Sequence, residues 1–180
     1  MDEASFTIPG LGDEAVTVRN ELQARLTALV DTALMLKHVH WNVVGPAFIG
    51  VHEMIDPQVA SVQLMADALA ERIAALGGSP NGLAGYTAEH REWRDYPLGR
   101  DLVNEHLKAL DIAYSGLIGG HRSAMRVTGA IDPVTEDLLI GQTGALEQFQ
   151  WFVRAHLETS DGSIPTARID REATTTAMSR

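Results

Sequence analysis

Residues 38–71 carry an unusual density of side chains that can bind a metal ion. They are His38, His40, His52, Asp56, Asp67 and Glu71. The last four form two pairs whose members lie four residues apart, a spacing that places both members of a pair on one face of an α-helix. A mixed set of imidazoles and carboxylates suits iron or zinc better than calcium or magnesium. The pattern therefore predicts a site for a transition metal.

The spacing within this stretch predicts a site that is shared between two chains. On one straight helix His52 and Asp67 would lie about 22 Å apart along the axis, whereas a metal ion needs ligands at about 2 Å. If two copies of the helix pack antiparallel about a two-fold axis, the His52 end of one copy meets the Asp67 and Glu71 end of the other. His40 can fold back to join His52. We therefore expect two identical sites per dimer, each with both imidazoles from one chain and both carboxylates from its partner.

Four long segments with helical apolar spacing position these side chains. They run from about Asp13 to Asn42, Phe48 to Leu76, Leu98 to Val127 and Pro133 to Leu157. Gly45-Pro46 ends the first segment and Gly77-Gly78 ends the second. Residues 77–97 form a long connection, predicted to carry a short helix near 88–94 and to cross the length of a bundle.

This pattern predicts an all-α fold, a ferritin-like four-helix bundle whose second and third helices are joined by a long crossover. The bundle would span residues 13–158, after an N-terminal arm at 1–12 and before a flexible C-terminal tail at 159–180. Ferritin-like bundles usually bind iron within one subunit through Glu-x-x-His pairs. None of the seven histidines has a carboxylate three residues before it, so that site is absent and the metal must lie elsewhere.

Composition excludes several classes of function. The chain has no cysteine, which rules out disulfides, thiolate metal sites and thiol catalysis. It shows neither a basic secretory leader nor an apolar run approaching the roughly 18 residues of a membrane span, so we expect a cytoplasmic protein without membrane association. The net charge of −10, with two lysines, predicts weak affinity for phosphate backbones.

Three features together resemble the Dps family of mini-ferritins, the DNA-binding proteins from starved cells. They are His40-Trp41-Asn42-Val43, then His52 twelve residues after His40, and Asp67-x-x-x-Glu71-Arg72. The resemblance covers residues 13–158. It implies twelve subunits in a hollow shell, with intersubunit ferroxidase sites that oxidise Fe(II), preferentially with hydrogen peroxide. The ferric product is stored as a mineral, which protects against oxidative damage.

The resemblance also assigns roles to individual residues. It implies that His40, His52, Asp67 and Glu71 are iron ligands, the same set that spacing predicts. Asp56 matches a carboxylate near the second iron position. Trp41 matches a tryptophan that absorbs oxidising equivalents beside the site, with a place in the core as the alternative. Acids at the start of the fourth helix match a three-fold pore, or they only stabilise the helix N-terminus; they are Asp132, Glu136 and Asp137.

Two other functions compete with iron oxidation. Relatives that bind DNA use tails rich in lysine or arginine, whereas the N-terminal tail here is acidic and the charges of residues 159–180 cancel. A nucleoid protein is thus the weaker alternative, and DNA binding is expected to be weak or absent. A metallohydrolase is the third reading, because metal-bound water can act as a nucleophile, but no hydrolase motif supports it.

Overall fold

A computed structural model describes residues 8, 10–159 and 163–164, and this part of the chain is a helical bundle. Its helices are α1 (Ala15–Asn42), α2 (Phe48–Ala75), α3 (Ala84–His90), α4 (Val103–Thr128) and α5 (Pro133–Leu157). A 3-10 turn at Gly12–Glu14 precedes α1, and two short strands, β1 (Val43–Val44) and β2 (Asp101–Leu102), pair in parallel. The predicted all-α bundle with a long crossover is confirmed. Most of the predicted arm (1–12) and tail (159–180) lies outside the described residues.

The bundle is built from two helical hairpins that share one apolar core. α1 packs mainly on α2 and α4 mainly on α5, while α1 and α4 join the hairpins. Each of these four helices contributes fully buried leucines, among them Leu22, Leu69, Leu107 and Leu146. Burying one such side chain stabilises the fold by about 1.5–3 kcal/mol. Among the described residues no helix is long and apolar enough to span a membrane.

The crossover between α2 and α4 departs from the predicted boundaries. Its short helix covers 84–90 instead of 88–94, because residues 91–93 reach back to α1. The Arg91 guanidinium lies 3.7 Å from the Asp31 carboxylate, and the Trp93 indole N–H donates to the same carboxylate. α4 begins at Val103 and not at Leu98, since residues 101–102 pair with 43–44 as strands. Contacts distant in sequence therefore set both boundaries.

The ends of three helices show which local sequence signals predicted a helix boundary correctly. Gly77, with a φ of 78°, ends α2 as predicted, and Gly78 N–H donates to the Ile73 carbonyl at 2.9 Å in a Schellman arrangement. α1 starts at Ala15, two residues after the predicted start at Asp13, because a 3-10 turn precedes it, and it has no side-chain cap. Asp132 precedes α5 as predicted but its side chain does not cap that helix.

The interior of the bundle carries polar contacts that involve no carboxylate. Tyr114 donates to the Gln58 side-chain oxygen at 2.6 Å, and Nε2 of His121 lies 3.3 Å from the Gln142 side-chain oxygen. Burial lowers the pKa of His121 to about 4, so this imidazole is neutral. The buried acid of the described residues is Asp132, at the start of α5.

Candidate metal centre

Two imidazoles meet where α1 ends and α2 begins. The rings of His40 and His52 stack with centroids 3.7 Å apart and planes inclined by 22°. Each Nδ1 lies within hydrogen-bond distance of the other residue's main-chain oxygen, at 3.0 Å for His40 and 2.9 Å for His52. The predicted fold-back of His40 onto His52 is therefore present. Gly45, with a φ of 116°, provides the reversal that brings the two helix ends together.

These reciprocal hydrogen bonds fix the chemical form of both rings. A carbonyl oxygen can only accept, so both Nδ1 atoms must carry the proton. In the neutral imidazole the lone pair then resides on Nε2, the atom that binds a metal. Neither Nε2 has a hydrogen-bond partner among the described residues. The main chain thus orients the two rings as a pair and leaves both Nε2 lone pairs available.

Asp56 contacts His40 at Nδ1 and not at Nε2, the nitrogen that is left open for a metal ion. Its Oδ1 is 3.2 Å from His40 Nδ1 and 2.9 Å from the Lys37 ammonium. The hydrogen bond from Lys37 lowers the pKa of Asp56, and the two imidazoles lower it further. Asp56 is exposed, so its carboxylate is ionised and remains open to solvent. In the isolated chain it orients His40, and the oxygen that faces Lys37 is already engaged.

Trp41 does not belong to the core of the chain. Its side chain is 71 % exposed, and the Lys37 ammonium lies 5.9 Å from the ring centroid. Leu34, two turns before Trp41 on the same face of α1, is 61 % exposed, and Leu64 on α2 is 71 % exposed. Large apolar side chains are seldom left open in this number along one hairpin unless another surface covers them. The predicted alternative of Trp41 as core is wrong for a single chain.

Asp67 and Glu71 share the exposed face of α2 with Leu64. Both carboxylates are exposed, and neither forms a hydrogen bond or ion pair with any described residue. The residue after Glu71 is anchored: Arg72 donates to Asp132 at 2.6 Å and to the Thr135 hydroxyl at 3.0 Å. This anchor fixes the last turns of α2 against α5 and leaves the two carboxylates free to bind a cation.

The six candidate residues do not converge within one chain. No group of three or more His, Asp or Glu side chains in the described part of the chain is placed to hold a metal ion. His40 and His52 meet, whereas Asp67 and Glu71 lie several turns farther along α2, about 22 Å and about 28 Å from His52 by helical rise. His38 is engaged elsewhere, with Nε2 2.8 Å from the Leu98 carbonyl. The two imidazoles of the predicted set lie together and its two carboxylates share one helix face, but the imidazoles and the carboxylates are far apart within one chain.

The three acids at the start of α5 differ in availability. Asp132 is buried, and hydrogen bonds from Thr135 and Arg72 outweigh its burial and lower its pKa. The Glu136 carboxylate folds back over Gly129, where an added Cβ would meet its oxygens at 2.6 and 2.7 Å. Asp137 is exposed and has no partner among the described residues. Asp132 is tied to its own chain, and Asp137 is the acid that faces solvent.

Sequence patterns did not reveal Lys37 as the partner of Asp56. The two residues lie nineteen positions apart on different helices, so no periodicity links them. The available signal was the rarity of lysine, because Lys37 is one of two in the chain. The Arg72–Asp132 anchor, sixty positions apart, was missed for the same reason.

Comparison with known proteins places this geometry in context. A family model for the ferritin-like domain matches residues 19–162. A DNA protection during starvation protein of Mycolicibacterium smegmatis is 55% identical over 161 residues, which are 89% of this chain and 88% of the relative. The fine tangled pili major subunit of Haemophilus ducreyi is 49% identical over 162 residues, 89% of this chain and 86% of the relative.

Solved structures resemble the described fold closely. DpsA14 from Streptomyces coelicolor superposes with a TM-score of 0.88 at 55% identity, covering 92% of this chain and 100% of that chain. The tetragonal form of Mycobacterium smegmatis Dps gives a TM-score of 0.87 at 54% identity, covering 89% of this chain and 98% of that chain. The ferritin-like match at residues 19–162 spans the stretch that carries His40, His52, Asp67 and Glu71.

Proposed function

Because the chain belongs to the Dps family of ferritin-like proteins, we propose that it oxidises and stores iron at sites shared between subunits. Fe(II) is the substrate, hydrogen peroxide is the preferred oxidant, and a ferric mineral is the product. The functional unit is a dodecameric shell assembled from two-fold dimers, located in the cytoplasm. Its role is protection against oxidative damage.

The observation that carries this proposal is that each of the two half-sites lacks the ligands that the other supplies. His40 and His52 present two unpartnered Nε2 atoms at one end of α2, and Asp67 and Glu71 present two unpartnered carboxylates toward the other end. An antiparallel two-fold pairing of this face would join them twice. The exposed side chains of Leu34 and Leu64 beside them would be buried by the same pairing. Electrostatics, ligand type and apolar surface therefore favour one arrangement.

The ligand set suits the oxidation of iron. Neutral imidazoles bind Fe(II) without losing a proton, and two carboxylates offset the additional positive charge of Fe(III). Two Fe(II) ions supply the two electrons that reduce hydrogen peroxide to water, so the O–O bond breaks without releasing a hydroxyl radical. The hydrolase alternative has no comparable support, because nothing in the half-sites positions a substrate beside a metal-bound water.

Purified protein is expected to sediment as an assembly of about twelve subunits and to oxidise Fe(II) faster with hydrogen peroxide than with air. The variant His52→Ala should lower the oxidation rate at least about tenfold, as losses at metal sites do. His156→Ala is the matched control, since His156 is exposed on α5 with Nδ1 bonded to its own helix. A monomer that leaves Fe(II) unoxidised would contradict the proposal.

Asp137 is the residue that we propose for the iron route at the start of α5, with Glu136 contributing less. Replacing Asp137 by Asn should slow iron uptake severalfold, to about a third or less, because a carboxylate at a pore raises the local concentration of cations. Uptake is measured as ferric absorbance in shells of unchanged mass. Glu89→Gln removes one exposed acid from α3 as a control. Uptake by Asp137→Asn equal to that of the control would remove this assignment.

DNA binding is proposed to be weak or absent, despite the names of several relatives. Most of the tail residues that would carry it fall outside the described part of the structure. Residues 159–180 combine three arginines with three acids and no lysine, which gives little counterion release. In gel-shift experiments at moderate salt the assembled protein should leave duplex DNA unshifted. Tight complexes that disappear when residues 159–180 are deleted would show the opposite.

A further inference from the structure

Near His38, on the last turns of α1, a half-buried tyrosine and a buried histidine form a hydrogen-bonded pair. The Tyr96 hydroxyl is 3.0 Å from His106 Nδ1 and 3.2 Å from the His106 carbonyl oxygen. The two rings are nearly parallel, with planes inclined by 4°. His106 is completely buried, and its Nε2 has no hydrogen-bond partner among the described residues. A buried imidazole nitrogen without a partner calls for a physical explanation.

The surroundings set the protonation of both partners. Burial lowers the pKa of His106, so its imidazole is neutral. Burial raises the pKa of the Tyr96 hydroxyl, with the nearby Asp101 carboxylate acting in the same direction, so the phenol keeps its proton. Main-chain groups of Asn42 and Gly99 act against burial and raise the pKa of His106. In the tautomer with its proton on Nε2, His106 offers the Nδ1 lone pair to the phenol, whose proton is shared with the His106 carbonyl oxygen.

An open cavity reaches the Tyr96 side chain from the surface beside Trp41. Its volume is about 530 Å³, and Trp41, Trp93 and Tyr96 line it together with Asp31 and Met35. Trp41 follows His40 directly in the chain and is exposed. Asn42, whose main chain acts on His106, follows Trp41. Three easily oxidised rings thus line one cavity, those of Trp41, Trp93 and Tyr96. The Tyr96 phenol already has the His106 imidazole within hydrogen-bond distance.

We propose that Tyr96 and His106 form a proton-coupled redox pair that accepts single oxidising equivalents generated at the metal centre. This role rests on the proposed function, because such equivalents arise when hydrogen peroxide meets one Fe(II) instead of two. Tyr96 is the residue that is oxidised, and His106 is a positioning residue that receives its proton. The pair would prevent single equivalents from reaching the solvent.

The step balances in atoms and charge. Tyr96 loses one electron to the oxidant, which is reduced by one electron. The phenol O–H bond breaks, and its proton forms a new N–H bond at His106 Nδ1. The products are a neutral tyrosyl radical and an imidazolium ion. One electron from a later Fe(II) reduces the radical, the proton returns, and that iron leaves as Fe(III).

The other two tyrosines of the chain are natural controls. Tyr114 is more deeply buried than Tyr96, but its hydroxyl donates to the Gln58 amide oxygen, which cannot take up the proton at neutral pH. Tyr86 stacks on the His90 ring with centroids 3.8 Å apart, and the histidine Nδ1 is committed to the Tyr86 carbonyl. Of the three, Tyr96 has the hydroxyl bonded to an imidazole nitrogen.

The test oxidises the full-length assembly without iron, using photogenerated tris(bipyridine)ruthenium(III), and identifies the radical by electron paramagnetic resonance. We expect a neutral tyrosyl radical whose signal falls about tenfold or more in Tyr96→Phe. The signal should be kept in Tyr86→Phe and Tyr114→Phe. Electron–nuclear double resonance in H₂O and D₂O should show an exchangeable proton at hydrogen-bond distance from the radical oxygen. This signature is read in the native protein and does not depend on a foldable His106 variant.

A radical that persists in Tyr96→Phe would contradict the proposal that Tyr96 is the residue oxidised. A Tyr96 radical without the exchangeable proton would contradict the proposed proton transfer to His106. A second arm adds Fe(II) and substoichiometric hydrogen peroxide, where the same radical is expected and Tyr96→Phe should release more spin-trapped hydroxyl radical. Fe(II) that stays unoxidised in this arm contradicts the proposed function, and the photochemical arm still decides the pair. Oxidised iron with no Tyr96 radical would overturn the pair's role at the metal centre.

Discussion

Two inactive variants assembled together are expected to recover about a quarter of the wild-type ferroxidase sites, if each site is shared as a two-fold dimer requires. His52→Ala removes an imidazole and keeps both carboxylates. The double variant Asp67→Ala/Glu71→Ala removes the carboxylates and keeps both imidazoles. In a mixed dimer one site combines the incomplete imidazole pair of the first variant with the truncated carboxylates of the second, and is inactive. The other site combines the intact imidazoles of one chain with the intact carboxylates of its partner.

The experiment co-expresses the two variants and compares Fe(II) oxidation by the mixed shells with shells of either variant alone. Random pairing makes about half of the dimers mixed, and each mixed dimer holds one intact site of two. A site contained within one chain would give no recovery, because neither variant carries a complete set. Mixed shells as inactive as their parents, with normal mass and mixed composition, would therefore contradict the shared site.

The half-sites could be predicted because the constraints on them are local or geometric. His52, Asp67 and Glu71 lie on one helix, so helical rise alone gives their separation. His40 and His52 flank a Gly45-Pro46 turn, and a tight reversal brings the adjoining helix ends together. The Gly77-Gly78 signal likewise ended α2 at the expected place. In each case residues close in sequence determine the outcome.

The features that sequence did not predict depend on contacts between distant segments. Asp132 suits a helix cap by type and position, yet it turns to Arg72 of α2, sixty positions away. The short crossover helix ends at His90 because Arg91 and Trp93 bind Asp31 of α1. Periodicity and propensity carry no information about such partners, and tertiary contacts override them.

Replacing Gly120 by alanine is expected to destabilise the fold by about 2 kcal/mol, although alanine favours helices by about 1 kcal/mol over glycine. An added Cβ at Gly120 would overlap Arg25 Nη1 and lie 2.7 Å from its Cζ. Arg25 is buried with 4% of its surface exposed, and its Nη2 pairs with Glu92 at 2.9 and 3.0 Å. The added methyl must therefore displace a buried cation from its partner, which outweighs the gain in helix propensity.

Gly119 is the matched control for this prediction, because it lies on the same helix with nothing within 4 Å of an added Cβ. Gly119→Ala should stabilise the protein by up to about 1 kcal/mol, so two adjacent identical substitutions are expected to have opposite signs. Denaturant unfolding measures both. Combining Gly120→Ala with Arg25→Met should cost less than the sum of the single changes, because the two side chains then no longer compete for one space. Strict additivity, or equal effects at the two glycines, would show that Arg25 moves aside freely.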